Sequence, residues 1–340
     1  MKATMRFLSS SPNVTLAIIV AMGVVLLGFK SGGEFFGPVS VTTFFRFLAI
    51  PILIGLAQMI TLSVGQLNLA VGSIGGFAAC LAGVVVTDFG VPQWIGALIA
   101  VVVGGLAGIV NGVLIVVTKI NGFIVTLATM TILMGAQYAL VGTRTISADA
   151  WPSVTQFGKS EILGIPVIFI MTLIVAGLVS FYFAKMVGGR RLLATGDNET
   201  AAEYGGISID RSLITAHGLS GLLAGVAAFV AVATLPGVNQ SVGGDWLLPS
   251  FAAPIIGGVV LTGGAVAVLG TVLAATIVRL VDSARAEFQL APAWVNLVVG
   301  AVVLGTVALG RVRANRAEAL IVQQRVRAAE EALAEVEVVR

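Results

Sequence analysis

Two tracts carry residue types at spacings that chemistry could use. Phe157-Gly158-Lys159-Ser160 ends as a phosphate-binding loop ends, but the Gly required five positions before Gly158 is Ser153. No nucleotide site is therefore expected on this chain. Gly218-Leu219-Ser220-Gly221 has the GxSG form of a membrane-embedded serine nucleophile. Such a protease needs an imidazole from another helix to take the serine proton. The only histidine, His217, stands three residues before Ser220 in the same stretch, so these small residues read as helix-packing positions. One histidine also excludes any site that needs two. The only cysteine, Cys80, cannot form an internal disulfide and reads as a small packing residue. Neither a catalytic residue, a metal site nor a cofactor is expected.

The remaining chemistry is uncharged. Gln58, Thr61, Ser63, Gln66, Asn68, Asn111, Thr126, Thr129, Gln137 and Asn296 lie in or beside long apolar runs. Polar groups are expensive in lipid and usually face a bundle interior. Hydroxyls and amides there suit the path of a neutral, polyhydroxylated solute. They equally suit hydrogen bonds from helix to helix. No acid lies deep in a run; Asp88, Asp245, Asp282 and Glu287 fall at run ends or in outer loops. A proton- or sodium-driven carrier would more often hold an ionisable group there, so the driving force is expected from elsewhere. A secondary carrier or channel remains the alternative.

The elements that must position these residues follow from composition. Of 340 residues 58% are hydrophobic and 10% charged, against roughly a quarter charged in an average soluble domain. The chain therefore reads as an all-α polytopic membrane protein, because lipid admits only helices or closed barrels. The runs are too long for barrel strands. About ten transmembrane helices are predicted, at 14–29, 44–65, 69–86, 94–117, 122–142, 165–186, 213–235, 251–263, 265–281 and 292–309. The first, behind Lys2 and Arg6, reads as a signal anchor. The eighth is short and Gly-interrupted, which leaves nine as the alternative. With both termini in the cytoplasm, Lys119, Lys185, Arg190, Arg191, Arg211 and the basic tail fall inside. Fewer basic residues (Lys30, Arg46, Arg144, Lys159, Arg279 and Arg285) then fall outside. Spans two to five and seven to ten cover 44–142 and 213–310, nearly equal lengths of opposite polarity, which predicts an inverted repeat.

Three further segments stand out. The cytoplasmic loop 188–211 is predicted to hold a short helix. Asp197 or Asn198 would cap it, Glu199 would sit at its positive end, Ala201, Ala202 and Tyr204 lie within it, and Gly205 or Gly206 would close it. The outer loops 143–164 and 236–250 carry Trp151, Asp245 and Trp246, which could anchor a partner or, for the tryptophans, sit at the lipid interface. The tail 311–340 reads as a cytoplasmic amphipathic helix beyond the membrane domain 1–310.

Four tracts carry a family resemblance. GDNETAAEYGGI (196–207) resembles the "GxNxxAAxxxGI" loop of the transmembrane subunits of ABC-type sugar importers, the ribose, xylose and autoinducer-2 group, relatives of the branched-chain amino acid permeases. GQLNLAVGSIGG (65–76) is similar to their "GGIDLSVGS", NGFIVTLATMTILMGAQYAL (121–140) to "PxFIxTLATMxIxRG", and IIGGVVLTGGAVAVLGTVLAA (255–275) to "VIGGTSLxGGxGxxxGTxxGA". Order and spacing match over 44–310. The chain departs at Gln66-Leu67-Asn68-Leu69-Ala70, which lacks the family's acid, at Asp197 in place of Gly, and at Met134 in place of Arg. The resemblance implies the permease subunit of a bacterial inner-membrane ABC importer. Its 188–211 loop would dock a separate ATPase subunit, a second permease subunit would pair with it, and a periplasmic or lipid-anchored solute-binding protein would deliver the solute.

Overall fold

The structure, a computed structural model, describes residues 12–289 and scattered positions between 291 and 305. Asn296 and the tail 311–340 lie outside the described residues. The helices are α1 (Pro12–Lys30), α2 (Pro38–Leu62), α3 (Val71–Phe89), α4 (Gln93–Thr118), α5 (Gly122–Val141), α6 (Pro152–Lys159), α7 (Val167–Lys185), α8 (Val187–Asp197), α9 (Glu199–Tyr204), α10 (Ile209–Thr234), α11 (Leu247–Ile256) and α12 (Val268–Glu287). Seven of them, α1 to α5, α7 and α10, are long and apolar enough to cross a membrane. The chain is an all-α multi-pass membrane protein.

The bundle has two distinct ends. At one, short strands β1 (Ile146–Ser147) and β4 (Gly237–Val238) pair antiparallel, as do β2 (Glu161–Ile162) and β3 (Ile165–Pro166). Ion pairs staple this strand-bearing end, Arg144 to Asp88 at 2.6 Å and Arg46 to Glu161 at 3.6 Å. The other end carries α8 and α9.

Two central helices organise the interior. α10 packs on α3 and α4, and α2 packs on α11 and α12. The α4–α10 seam is built on missing side chains: a Cβ at Gly108 would lie 2.2 Å from His217 O, and one at Gly104 2.6 Å from Gly221 O. Backbones this close gain dispersion contacts that larger residues would prevent. On the α2 seam a Cβ at Gly55 would fall 2.7 Å from Ala253 Cβ.

The eighth predicted span, 251–263, is not a spanning helix. It is the ten-residue α11, with Pro254 inside it, ended by Gly257 and by Gly258 at φ 93°. Residues 257–267 then run on without helix to α12. The ninth is longer than predicted, because α12 continues to Glu287 and takes Asp282 inside it. That acid is occupied: Arg279 and Arg285, on the same helix, both pair with Asp282. Arg279 also lies over the rings of Phe44 and Phe47, 5.9 and 5.4 Å from their centroids.

Candidate functional site

After α2 the chain doubles back into the bundle. Gly65, at φ 69°, makes the turn. The stretch 66–70 then rises beside α2, where the Gln58 amide serves the Asn68 backbone, donating to O at 2.8 Å and accepting from N at 3.2 Å. The Asn68 side chain donates to Ser220 Oγ at 3.0 Å and accepts from Ala70 N. Ser220 lies eleven residues into α10, so Asn68 sits about 16 Å inside the bundle. Thr126 Oγ1 accepts from Leu69 N at 3.2 Å and lies 3.3 Å from Leu67 O. Gln58, Asn68 and Ser220 are fully buried. A non-helical segment at this depth is tolerated because protein side chains satisfy its polar groups.

From this break α3 begins mid-bundle at Val71. The second interruption meets it there. Residues 240–246 dip inward from β4, Trp246 packs on Gly75 and Gly72, and α11 starts at Leu247. The first helical bonds are Ile74 N to Ala70 O and Ser250 N to Trp246 O. The N–H groups ahead of them have no partner within their own helix. Between the two helix beginnings lies a cavity of about 160 Å³, with room for roughly five waters. It is lined by Leu69, Gly72, Ser73, Met130, Met134, Gln137, Gln240, Val242, Gly243, Gly244 and Leu247, with no charged side chain among them. Gln137 fixes its wall, donating through Nε2 to Asn239 O and Val242 O, each at 3.1 Å. Cys80 Sγ donates to the same Asn239 carbonyl at 3.2 Å.

Other sequence candidates fall elsewhere. Thr61 and Ser63 donate to carbonyls three residues back on their own chain. Asn111 pairs with Thr129 at 2.7 Å between α4 and α5. Gln66 packs against Gly122 at the α9 end. Of the nine that lie among the described residues, only Gln137 lines the cavity. Ser73, Gln240, Met130 and Met134 were not foreseen, although Ser73 sits in the Gly-rich tract just after the break. Ser220 is no nucleophile: its hydroxyl is the acceptor of Asn68, and both His217 ring nitrogens lack a hydrogen-bond partner among the described residues.

For Trp151 and Trp246 the sequence offers a partner anchor or a place at the lipid interface, and the structure fits neither. Trp151 is 1% exposed and Trp246 7%, because the outer loops fold back on α3 and bury their large aromatics. Asp245 is exposed.

The 188–211 loop holds two helices rather than one. α8 precedes α9, and α9 covers Glu199–Tyr204. Asn198, not Asp197, caps α9 by accepting from Ala201 N at 2.9 Å. Gly206 takes the left-handed conformation at φ 79°, whereas Gly205 does not. Asp197, Glu199, Ala201 and Tyr204 are exposed, and Ala202 is buried against the bundle.

Comparisons with known proteins agree with this architecture. The chain is 28% identical over 307 residues to the fructose import permease protein FrcC of Rhizobium meliloti, covering 88% of this chain and 85% of the relative. It is 27% identical over 301 residues to the autoinducer 2 import system permease protein LsrC of Escherichia coli K12 / DH10B (88% and 87%). It is 29% identical over 298 residues to the D-allose transport system permease protein AlsC of Escherichia coli K12 (86% and 90%). No solved structure matches it. The branched-chain amino acid transport system / permease component family matches residues 40–307, and the chain belongs to that family as a membrane-spanning transport subunit of an ABC importer and not an enzyme.

Proposed function

We propose that this permease conducts a small neutral polar solute of the sugar class, driven by ATP hydrolysis on a separate subunit. The observation that carries this reading is the uncharged cavity between the beginnings of α3 and α11. Gln137, Gln240 and Ser73 set two amides and a hydroxyl among its mostly apolar walls, which suits a solute whose hydroxyls both donate and accept hydrogen bonds. Its size fits a small solute. Similar permeases are named for import of fructose, autoinducer 2 and allose.

The same reading arranges the assembly. The α9 end faces the cytoplasm, since Lys119, Lys185, Arg190, Arg191 and Arg211 gather there, and both termini then lie inside. The exposed α9 segment is the dock for the ATPase. Asp149, Gln156, Lys159 and Glu161 are exposed at the opposite end and offer a polar landing surface to a solute-binding protein, whereas Asp245 lies on the inward-dipping 240–246 stretch. A second permease subunit covers α5, whose outward face shows Thr131, Gly135 and Tyr138 beside the cavity's Met134. Polar groups on an outward face fit a protein partner better than lipid. An inverted repeat, in which the eighth crossing is made by the inward-dipping 240–246 stretch and the short α11 rather than by a full-length helix, is supported by the exchange of central helices: α10 packs on the first half's α3 and α4, as α2 packs on the second half's α11 and α12.

The test is reconstitution in liposomes with the ATPase and the solute-binding protein, reading uptake of labelled D-fructose and D-allose. At least one accumulates only with ATP, and Gln137→Leu lowers that uptake about tenfold while ATPase association persists. Equal uptake by the permease alone would make it a channel or carrier. No accumulation of either sugar would remove the substrate class.

A further inference from the structure

The segment leading into α9 touches the turn that ends α2 and the non-helical stretch 257–267, mostly backbone on backbone. At Gly196 an added Cβ would lie 2.0 Å from Ser63 O, at the end of α2, and 2.6 Å from Gly264 N, ahead of α12. Gly264 N donates to the same Ser63 O at 3.0 Å. At Gly263 an added Cβ would lie 2.7 Å from Gly65 N and 2.8 Å from Gly196 Cα. At Gly264 it would lie 2.9 Å from Asp197 Cα. Gly65, Gly263 and Gly264 have φ of 69°, 96° and 79°, a conformation that side chains oppose. Three segments distant in sequence therefore meet backbone to backbone, with the Asp197 side chain beside Gly264. A fourth tie holds α8 to α10, where Thr195 Oγ1 donates to Ser212 Oγ at 3.0 Å between buried side chains.

Of the two segments that leave this junction, one ends on the cavity and the other reaches it through the length of α11. Residues 65–70 run from Gly65 to the start of α3, where Leu69, Gly72 and Ser73 form one wall. Residues 257–264 join the junction to α11, whose first residue, Leu247, forms the opposite wall. Asn198, the cap of α9, is two residues from Gly196.

We propose that the Gly65–Gly196–Gly263–Gly264 junction is the relay by which displacement of α9 moves the two helix beginnings that enclose the cavity. These glycines are positioning residues. They transmit because backbone packed on backbone cannot absorb a shift in side-chain rotamers, and packed contacts switch rather than stretch. The proposal rests on the reading of α9 as the ATPase dock and of the cavity as the solute's site.

The test uses the full complex of permease, ATPase and solute-binding protein. Gly196→Ala is expected to keep ATPase association and ATP hydrolysis while solute moved per ATP falls about tenfold. Unchanged solute per ATP would overturn the relay. In case this variant does not fold, hydrogen exchange on the wild-type complex supplies a second measurement, with and without trapping by ADP–vanadate. Trapping is expected to change exchange in 66–72 and 257–264 together with 198–206. A change confined to 198–206 overturns the relay and leaves the dock standing. No protection of 198–206 on adding the ATPase removes the dock, and the relay with it.

Discussion

Gln58 shows how one buried amide sets the shape of the interior. Its two polar atoms serve the backbone N–H and C=O of Asn68, and neither can reach water. Gln58→Leu fills the same space but orphans both groups, at about 1–3 kcal/mol each. Thermal unfolding in detergent should begin several degrees lower than in the wild-type chain. An unchanged transition would mean that 66–70 is held by something else. At this scale the sequence was informative about residue type and not about partners. Apolar runs holding Gln58, Asn68 and Thr126 announce buried polar contacts. Only the fold shows that all three serve one break, whereas Thr61 and Ser63 bond to their own chain. Ser220 and Cys80 were legible as packing residues; their hydrogen bonds to Asn68 and Asn239 depend on segments far away in the chain.

At the scale of elements, the α4–α10 seam explains where the glycines went. Gly104, Gly108 and Gly112 recur every fourth residue on α4 and face Gly221, Gly225 and the Ile214 backbone. Gly108→Leu would drive a side chain into His217 O and separate the helices. Folded protein recovered by size exclusion should fall severely, whereas Gly177→Leu, at an open position on α7, should leave recovery near wild type. Equal recovery of the two variants would contradict close packing. Long apolar helices such as α4 and α7 were readable from hydropathy because length and composition suffice to define them. α11 was not, since hydropathy counts apolar residues and is blind to the left-handed glycines that end a helix. α8 was missed because a polar amphipathic stretch of Gly and Arg looks like loop until it packs on the bundle. The buried tryptophans were misread for a related reason: composition gives a loop's polarity and not the direction in which it folds.

At the scale of the whole molecule, the chain has two ends with different work and a cavity between them. The strand-bearing end is closed by paired loops and ion pairs, and the α9 end exposes a capped helix joined by glycines to the interior. In the proposed reading such a body has a path and a handle but no motor of its own, and its function depends on what grips α9 from the cytoplasm. Tyr204 is 90% exposed at the tip of that helix, which makes it the place to ask. The measurement is labelling of Tyr204→Cys in a Cys80→Ser background with a membrane-impermeant maleimide, from each side of sealed vesicles, with and without the ATPase. The account expects labelling only from the cytoplasmic side and its loss when the ATPase is bound. Labelling from the opposite side would leave the motor nothing to hold and would contradict the account.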